Sequence, residues 1–145
     1  MGALVGLDVG DRRIGVAVSD VGRHIASPHS VIERVGWGPD IRRIRAVMEE
    51  KDADTAVMGL PLNMDGSEGF QAEKIRLFAR QVEAAGIRVV FQDERLSTVT
   101  AEEALIEGGM RREKRKMTVD KVAAAVILQA YLDSGAAEEG ENHDK

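Results

Sequence analysis

The order of strand-length apolar runs constrains the fold of this chain more than any other feature. Two such runs, residues 3–7 and 14–18, are joined by a short turn that contains glycine, which predicts a β-hairpin. A third extended stretch is expected over residues 24–35, with Ser27-Pro28 marking an irregularity or a sheet edge. The chain is therefore expected to open with three consecutive antiparallel strands.

Helical patterns alternate with the strands that follow. Apolar residues at helical spacing occur after Pro39 and again over residues 75–82, where Gly86 ends the pattern. The continuous apolar runs 55–60 and 87–91 are typical of buried strands.

Two more helices are expected in the last third of the chain. The first is capped by Ser97 or Thr98 and ended by Gly108-Gly109. The second is strongly apolar and runs over residues 119–130. The resulting order β-β-β-α-β-α-β-α-α predicts an α/β fold, with a mixed five-stranded sheet and helices on both faces.

Composition limits the chain to one ordinary domain, which we place at residues 1–134. The 145 residues are 43% hydrophobic, which is enough for one core. No cysteine is present, so disulfides and thiolate catalysis are excluded. No apolar stretch reaches the ~18 residues of a membrane span, so a cytoplasmic protein with no membrane partner is expected. Residues 135–145 are predicted to form an acidic, disordered tail.

Three acidic residues stand out by position. Asp8 follows the first apolar run, Glu94 follows the last predicted strand, and Asp120 falls in the first turn of the last predicted helix. Functional groups collect at strand ends in open α/β sheets. Carboxylates from three distant segments could converge on hard divalent cations, which prefer oxygen ligands.

Each acid also has a purely structural interpretation. Asp8 could simply form a turn with Val9-Gly10, and Glu94 could pair with Arg95 on the surface. Asp120 could complement the dipole of a helix N-terminus. Taken one at a time, these positions do not decide between structure and catalysis.

Four segments in order carry a specific resemblance. GLDVGDRRIGVAVSD (residues 6–20) is similar to the opening signature of the YqgF family, also called RuvX-type Holliday junction resolvases. Residues 58–69, 93–102 and 119–133 also match that family, so the resemblance spans about residues 3–133.

The resemblance implies a ribonuclease H-like nuclease that binds Mg²⁺ or Mn²⁺. The family's acids fall on Asp8, Glu94 and Asp120, which would be both catalytic residues and metal ligands. The implied substrate is nucleic acid, with maturation of the 5′ end of 16S rRNA from its precursor favoured and ribosomal particles as partners. Resolution of branched, four-way DNA is the alternative.

Other polar residues are candidates for substrate binding. Arg12 and Arg13 in the hairpin turn could grip a phosphate, with a solvated hairpin tip as the alternative. Asn63 and Ser67 could bond the substrate backbone, although turn chemistry also accounts for them. A basic loop before Asp120 could grip phosphates or merely be solvated. Its residues are Arg111, Arg112, Lys114, Arg115 and Lys116. This cluster weakens the objection that a net charge of −5 raises against nucleic-acid binding.

Two rival classes stay open. The segment Asp8-Val9-Gly10 resembles the phosphate loop of actin-like ATP-binding proteins, but those need two domains and this chain has room for one. A catalytically silent RNA-binding module would need none of the three acids. The sequence does not choose between a monomer and a homodimer.

Overall fold

A mixed β-sheet carries the elements that the sequence predicts. The computed structural model describes residues 2–93 and 112–135, with backbone alone from 112 to 118. The described elements are β1 (Ala3–Val9), β2 (Arg13–Ser19), β3 (Ala26–Glu33), α1 (Trp37–Glu50), β4 (Ala53–Leu60), α2 (Phe70–Ala84), β5 (Arg88–Asp93) and α3 (Arg112–Asp133). The helix predicted between residues 97 and 109 and the tail after residue 135 lie outside the described residues.

The sheet has five strands in the order β3-β2-β1-β4-β5. The pairs β1/β2 and β2/β3 are antiparallel, whereas β1/β4 and β4/β5 are parallel. The predicted mixed five-stranded sheet is thus confirmed. Because β1, β4 and β5 run in one direction, their carboxyl ends meet at the same edge of the sheet.

Strand β3 has the irregularity that Ser27-Pro28 predicts. Its register against β2 shifts between Val16 and Ala17, which pair with Ser30 and Pro28. His29 is therefore the extra residue of a bulge. Proline is tolerated there because β3 is an edge strand.

Helices cover both faces of the sheet. Alternate residues of β1 point to opposite sides. Val5, Leu7 and Val9 join the larger core, which contains the buried faces of α1 and α2. Leu4 joins a smaller core formed with α3. By the same alternation, Asp8 points to the α3 side.

Helix α3 begins earlier than the sequence suggested. The cluster predicted as a basic loop is helical from Arg112 onward, and only Arg111 lies outside the described residues. The physical reason is that residues 112–133 contain neither glycine nor proline, while Arg, Lys, Glu and Met are good helix formers. In the described part of the chain, no helix is long and apolar enough to cross a membrane.

Candidate active site at the sheet edge

Asp8 lies inside β1 rather than at its end. It pairs with Gly15 across the hairpin, and the ladder continues for one more pair, Val9 with Ile14. The side chain is half-buried. The turn-forming interpretation is therefore wrong, because the turn begins only after Val9. Asp8 holds its carboxyl group near the carboxyl end of the central strand, on the α3 side.

Asp120 lies directly over the cross-strand partner of Asp8. A Cβ atom built on Gly15 would be 1.8 Å from the backbone oxygen of Asp120. Antiparallel partners such as Asp8 and Gly15 have Cα atoms about 4.5–5.5 Å apart. Two acids separated by more than a hundred residues are thus neighbours on one face of the sheet.

Asp120 is not in the first turn of its helix. Since α3 starts at Arg112, the helix makes more than two turns of about 3.6 residues before reaching this carboxylate. The helix dipole acts mainly on charges in the terminal turn. Interaction with the dipole, the structural interpretation of Asp120, therefore does not apply.

Arg13 forms an ion pair with Asp120. Its Nε donates a hydrogen bond to Oδ2 of Asp120 at 2.6 Å, and both side chains are partly exposed. The residue predicted to grip a phosphate therefore holds a carboxylate in this structure. This contact fixes α3 to β2 beside Asp8.

Arg12 is exposed at the hairpin tip. Its carbonyl oxygen accepts a hydrogen bond from the backbone N–H of Arg34 at 2.9 Å. The backbone is thus fixed while the guanidinium reaches solvent, so Arg12 remains available to a ligand at the sheet edge.

Asn63 and Ser67 hold their own loop together. The Asn63 amide Nδ2 donates to Ser67 Oγ at 3.0 Å, and Ser67 Oγ donates to Asp65 at 2.6 Å. Gly66 occupies the left-handed region with φ 89°, which favours glycine. Turn chemistry therefore accounts for these residues in the structure, and the predicted contact with substrate remains a prediction.

The same loop is tied to α2 by an ion pair. Arg76 donates two hydrogen bonds to Glu68, at 2.5 and 2.8 Å. The Arg76 hydrogen bonds hold the pKa of Glu68 below its usual value. The loop that follows β4 is thereby held at the edge where β1 and β5 also end.

The third predicted acid, Glu94, lies outside the described residues. Strand β5 ends at Asp93, which pairs with Leu60 of β4. Within residues 2–93 and 112–135, no group of three or more acidic or histidine side chains is arranged to hold a metal ion. The structure therefore brings together Asp8 and Asp120, and the convergence of all three acids remains a prediction.

Two residues that no sequence pattern singled out as functional brace the hairpin. Arg34 donates from Nε to the buried carboxylate of Asp40 at 3.2 Å and from Nη1 to the carbonyl oxygen of Gly10 at 2.9 Å. Asp40 lies four residues before Ile44 in α1, hence on the buried face. That spacing was the available signal. The pair anchors the turn that immediately follows Asp8 and Val9.

Gly6 and Gly15 were also overlooked. A Cβ on Gly6 would lie 2.7 Å from Cβ of Leu128, and one on Gly15 would meet the Asp120 backbone. Both glycines lie on the α3 side of the hairpin, where they let the helix approach the sheet closely. The sequence signal for this close approach was the placement of the two glycines: Gly6 lies two residues before Asp8, and Gly15 is the cross-strand partner of Asp8.

Replacing Gly15 with alanine is expected to destabilise the protein by about 1–3 kcal/mol, because a methyl group there overlaps the helix backbone. It should also displace Asp120, since α3 must move and carries that residue with it, and so lower any activity that needs this carboxylate. Chemical denaturation measures the first effect, and an assay of the cleavage expected from the sequence measures the second. Gly38→Ala is the matched control: this glycine in the first turn of α1 has only Arg42 near its Cβ position, at 3.6 Å, so alanine should not destabilise the protein and should stabilise it by at most about 1 kcal/mol. A stable, fully active Gly15→Ala protein would contradict the expected close packing.

Among known protein families, one matches this chain over residues 2–134. Its description is "RuvX: Holliday junction resolvase". The chain belongs to the RuvX family. The predicted resemblance to the YqgF family is thus confirmed.

Curated relatives agree with the RuvX assignment. A protein of Clostridioides difficile (strain 630) is 50% identical over 133 residues, covering 91% of this chain and 94% of the relative. One of Caldanaerobacter subterraneus is 48% identical, covering 90% of this chain and 96% of the relative. Both carry the name "Putative pre-16S rRNA nuclease". The prediction of a nuclease is confirmed at the level of the family.

Solved structures confirm the ribonuclease H-like fold. Thermus thermophilus RuvC in complex with a Holliday junction superposes with a TM-score of 0.58 at 17% identity, covering 93% of this chain and 97% of that one. The Fowlpox virus resolvase superposes with a TM-score of 0.52 at 13% identity, covering 91% and 97%. At these identities the likeness concerns the fold alone.

Proposed function

We propose that this RuvX-family protein is a metal-dependent nuclease that trims the 5′ end of the 16S rRNA precursor. One observation carries the proposal. Asp120 lies over Gly15, the cross-strand partner of Asp8. Two carboxylates that are far apart in the sequence are therefore neighbours near the carboxyl end of β1. Glu94 follows Asp93 at the end of β5 and is the proposed third acid.

The donor set fits a hard divalent cation, with Mg²⁺ or Mn²⁺ proposed. Asp8, Asp120 and Glu94 would supply carboxylate oxygens, the ligands that such ions prefer. Arg13 takes Oδ2 of Asp120, so Oδ1 is the oxygen proposed for the metal. When bound, a metal pair supplies an activated water and stabilises the leaving oxygen of a phosphodiester.

Arg12 and Arg13 are proposed to have different roles at this site. Arg13 orients the Asp120 carboxylate through its hydrogen bond, as residues around metal ligands commonly do. Arg12 is exposed beside the site and would bind a phosphate oxygen of the substrate. The role in substrate binding expected of both arginines is thus proposed for Arg12 alone.

The rRNA substrate is favoured by the curated relatives, whose names specify pre-16S rRNA. The partner that follows is the precursor RNA, alone or within a ribosomal particle. Trimming one end requires one site per molecule, so a monomer suffices. Resolution of a four-way junction, the activity in the family description, requires two symmetric cuts and hence a dimer.

The test offers purified protein precursor 16S rRNA and a four-way DNA junction in parallel, with Mg²⁺ and with Mn²⁺. We expect cleavage near the mature 5′ end of the RNA and none without metal. Asp8→Asn should abolish the cleavage while the protein stays folded. Paired cuts in the junction with intact RNA would favour the resolvase. Binding without cleavage of either substrate would favour a non-catalytic module.

A basic face of α3 is proposed to bind substrate phosphates. Helical spacing puts positions 112, 116 and 120 on one side of the helix, since residues four apart are neighbours and residues two apart are not. Arg112→Ala combined with Lys116→Ala should therefore weaken RNA binding and reduce the slope of log affinity against log salt by about 1–2. A filter-binding titration across salt concentrations measures this.

Lys114 provides the matched control for that slope. It carries the same charge, but its position lies two residues from Lys116, on the other side of the helix. Lys114→Ala should leave the slope of log affinity against log salt nearly unchanged. That result would mean that Lys114 is not one of the predicted phosphate contacts. Equal slopes for all these variants would assign the whole cluster, including Arg111 and Arg115, to a solvated surface.

A further inference from the structure

A small cleft lies on the other side of the sheet edge from Asp8. The hairpin tip forms one wall with Val9, Gly10 and Asp11, and the rest is formed by Arg34, Trp37 and one face of α2 that includes Gln71 and Lys74. Its volume is about 160 Å³. A cavity of about 150 Å³ accommodates benzene, so this cleft has room for one planar ring.

One exposed aromatic side chain lines the cleft and a second lies next to a lining residue. Trp37 lines the cleft and is 49% exposed, and Phe70, which directly precedes Gln71, is 72% exposed. The whole chain has only five aromatic residues. Among the described residues, the two most exposed aromatic side chains are Trp37, the first residue of α1, and Phe70, the first residue of α2. An exposed aromatic ring offers a stacking surface to any nucleobase, because every base has a π-face.

Polar groups beside the rings suit a nucleotide. Gln71 lines the cleft and carries an amide that can both donate to and accept from a base edge. Lys74 also lines it, with Nζ 4.8 Å from the centre of the Phe70 ring. The ammonium pairs with exposed Asp11 at 3.4 Å. Such exposed pairs contribute little to stability, so a phosphate can readily take the place of Asp11.

The position of the cleft relative to Asp8 favours a single-stranded nucleic acid over a duplex. Val9 lines the cleft and directly follows Asp8, but consecutive strand residues point to opposite faces. A ligand that reaches both must bend sharply over the hairpin tip. Duplex DNA has a persistence length of about 50 nm and resists such a bend, whereas a single strand with unstacked bases can follow it.

We propose that this cleft binds one unpaired nucleobase of a single-stranded nucleic acid, stacked on Trp37, while the neighbouring backbone crosses the hairpin tip to Asp8. The inference rests on the proposed nuclease function and narrows its substrate to single-stranded segments. It assigns to Trp37 a role in binding and gives Gln71 the contact with the base edge.

Trp37 is the only tryptophan of the chain, so its fluorescence reports on the cleft directly. The experiment titrates full-length Asp8→Asn protein, which should not cleave, with a short single-stranded RNA and with a duplex of the same sequence. Saturable quenching by the single strand, and weak or no quenching by the duplex, is the expected result. Unchanged fluorescence while filter binding shows the RNA bound would overturn the proposal.

Substitution gives a second measurement. Trp37→Leu, in the same Asp8→Asn background, should weaken single-strand binding about tenfold, as the loss of one base–aromatic stack predicts. Gln71→Ala should weaken it less. Ile25→Ala is the matched control, because Ile25 is similarly exposed in the turn at the opposite end of β2. Equal loss in Trp37→Leu and Ile25→Ala, or no loss in Trp37→Leu, would contradict a specific stack.

Failure of the cleft is distinguishable from failure of the nuclease proposal. If the wild-type protein cleaves precursor rRNA and Trp37→Leu has unchanged KM and kcat, the nuclease stands and the cleft proposal falls. If single-stranded RNA quenches Trp37 fluorescence but no metal supports cleavage, base binding stands and the nuclease proposal falls.

Discussion

Asp120→Asn is expected to leave the protein folded while reducing phosphodiester cleavage by at least about 100-fold. Loss of an outer residue beside a metal commonly costs about 10–100-fold, and loss of a proposed ligand should cost more. Folding should change little, because Asn keeps a side-chain oxygen that can accept from Arg13, and the charge lost belongs to a partly exposed pair, which contributes about 0–1 kcal/mol. Thermal unfolding and single-turnover cleavage on the same preparation measure both effects.

Arg13→Gln separates the two roles of this ion pair. It removes the same ion pair as Asp120→Asn but keeps both carboxylate oxygens of Asp120. We expect activity between that of the wild type and that of Asp120→Asn, with partial recovery at higher Mn²⁺. Wild-type turnover by well-folded Asp120→Asn would remove Asp120 from the proposed metal ligands. Equal losses in the two variants would make the ion pair, rather than the carboxylate, the important feature.

The Arg34–Asp40 pair should dominate the stability of the hairpin region. Asp40 is fully buried, and its two oxygens accept hydrogen bonds from Arg34 Nε and from the backbone N–H of Val35. Arg34→Met keeps an apolar chain beside Phe78, whose ring centre lies 4.8 Å from the guanidinium carbon. It nevertheless leaves a buried carboxylate without its cation. We expect the free energy of unfolding to fall by about 3–5 kcal/mol, as measured by urea denaturation.

A double variant tests the cause of that loss. Adding Asp40→Asn to Arg34→Met removes the buried charge and keeps the oxygen that accepts from Val35. The double variant should therefore be more stable than Arg34→Met alone, although each single change destabilises. A loss below about 1 kcal/mol in Arg34→Met, or simple additivity of the two changes, would mean that the pair behaves like one on the surface.

The sequence predicted the elements of the sheet well because each is signalled locally. The hairpin, the irregular edge at Pro28 and the strands before and after α2 follow from apolar periodicity and turn residues. The choice of Asp8 and Asp120 as candidates also used local position. Their juxtaposition depends on packing that no local pattern encodes.

The features that were mistaken or missed depend on contacts between distant segments. The first turns of α3 were predicted to be a loop, because the run of positive charges was given more weight than the high helix propensity of the same residues. Arg34 and Asp40 look like polar surface until their mutual pairing allows burial. Gly6 and Gly15 gain their meaning only when α3 lies against them. The third acid, Glu94, lies outside the described residues, and its place beside Asp8 stays a prediction.

The contact between Arg13 and Asp120 joins positions 107 residues apart in the chain, which has a consequence for synthesis. A nascent chain that has emerged only through β5 contains all five strands but not α3. Such a chain holds Asp8 without the carboxylate that lies beside it in the finished fold. Because domains form from the N-terminus during translation, the proposed RNA-cutting centre would be completed among the last steps. A growing chain would therefore be inert toward the ribosome that is making it.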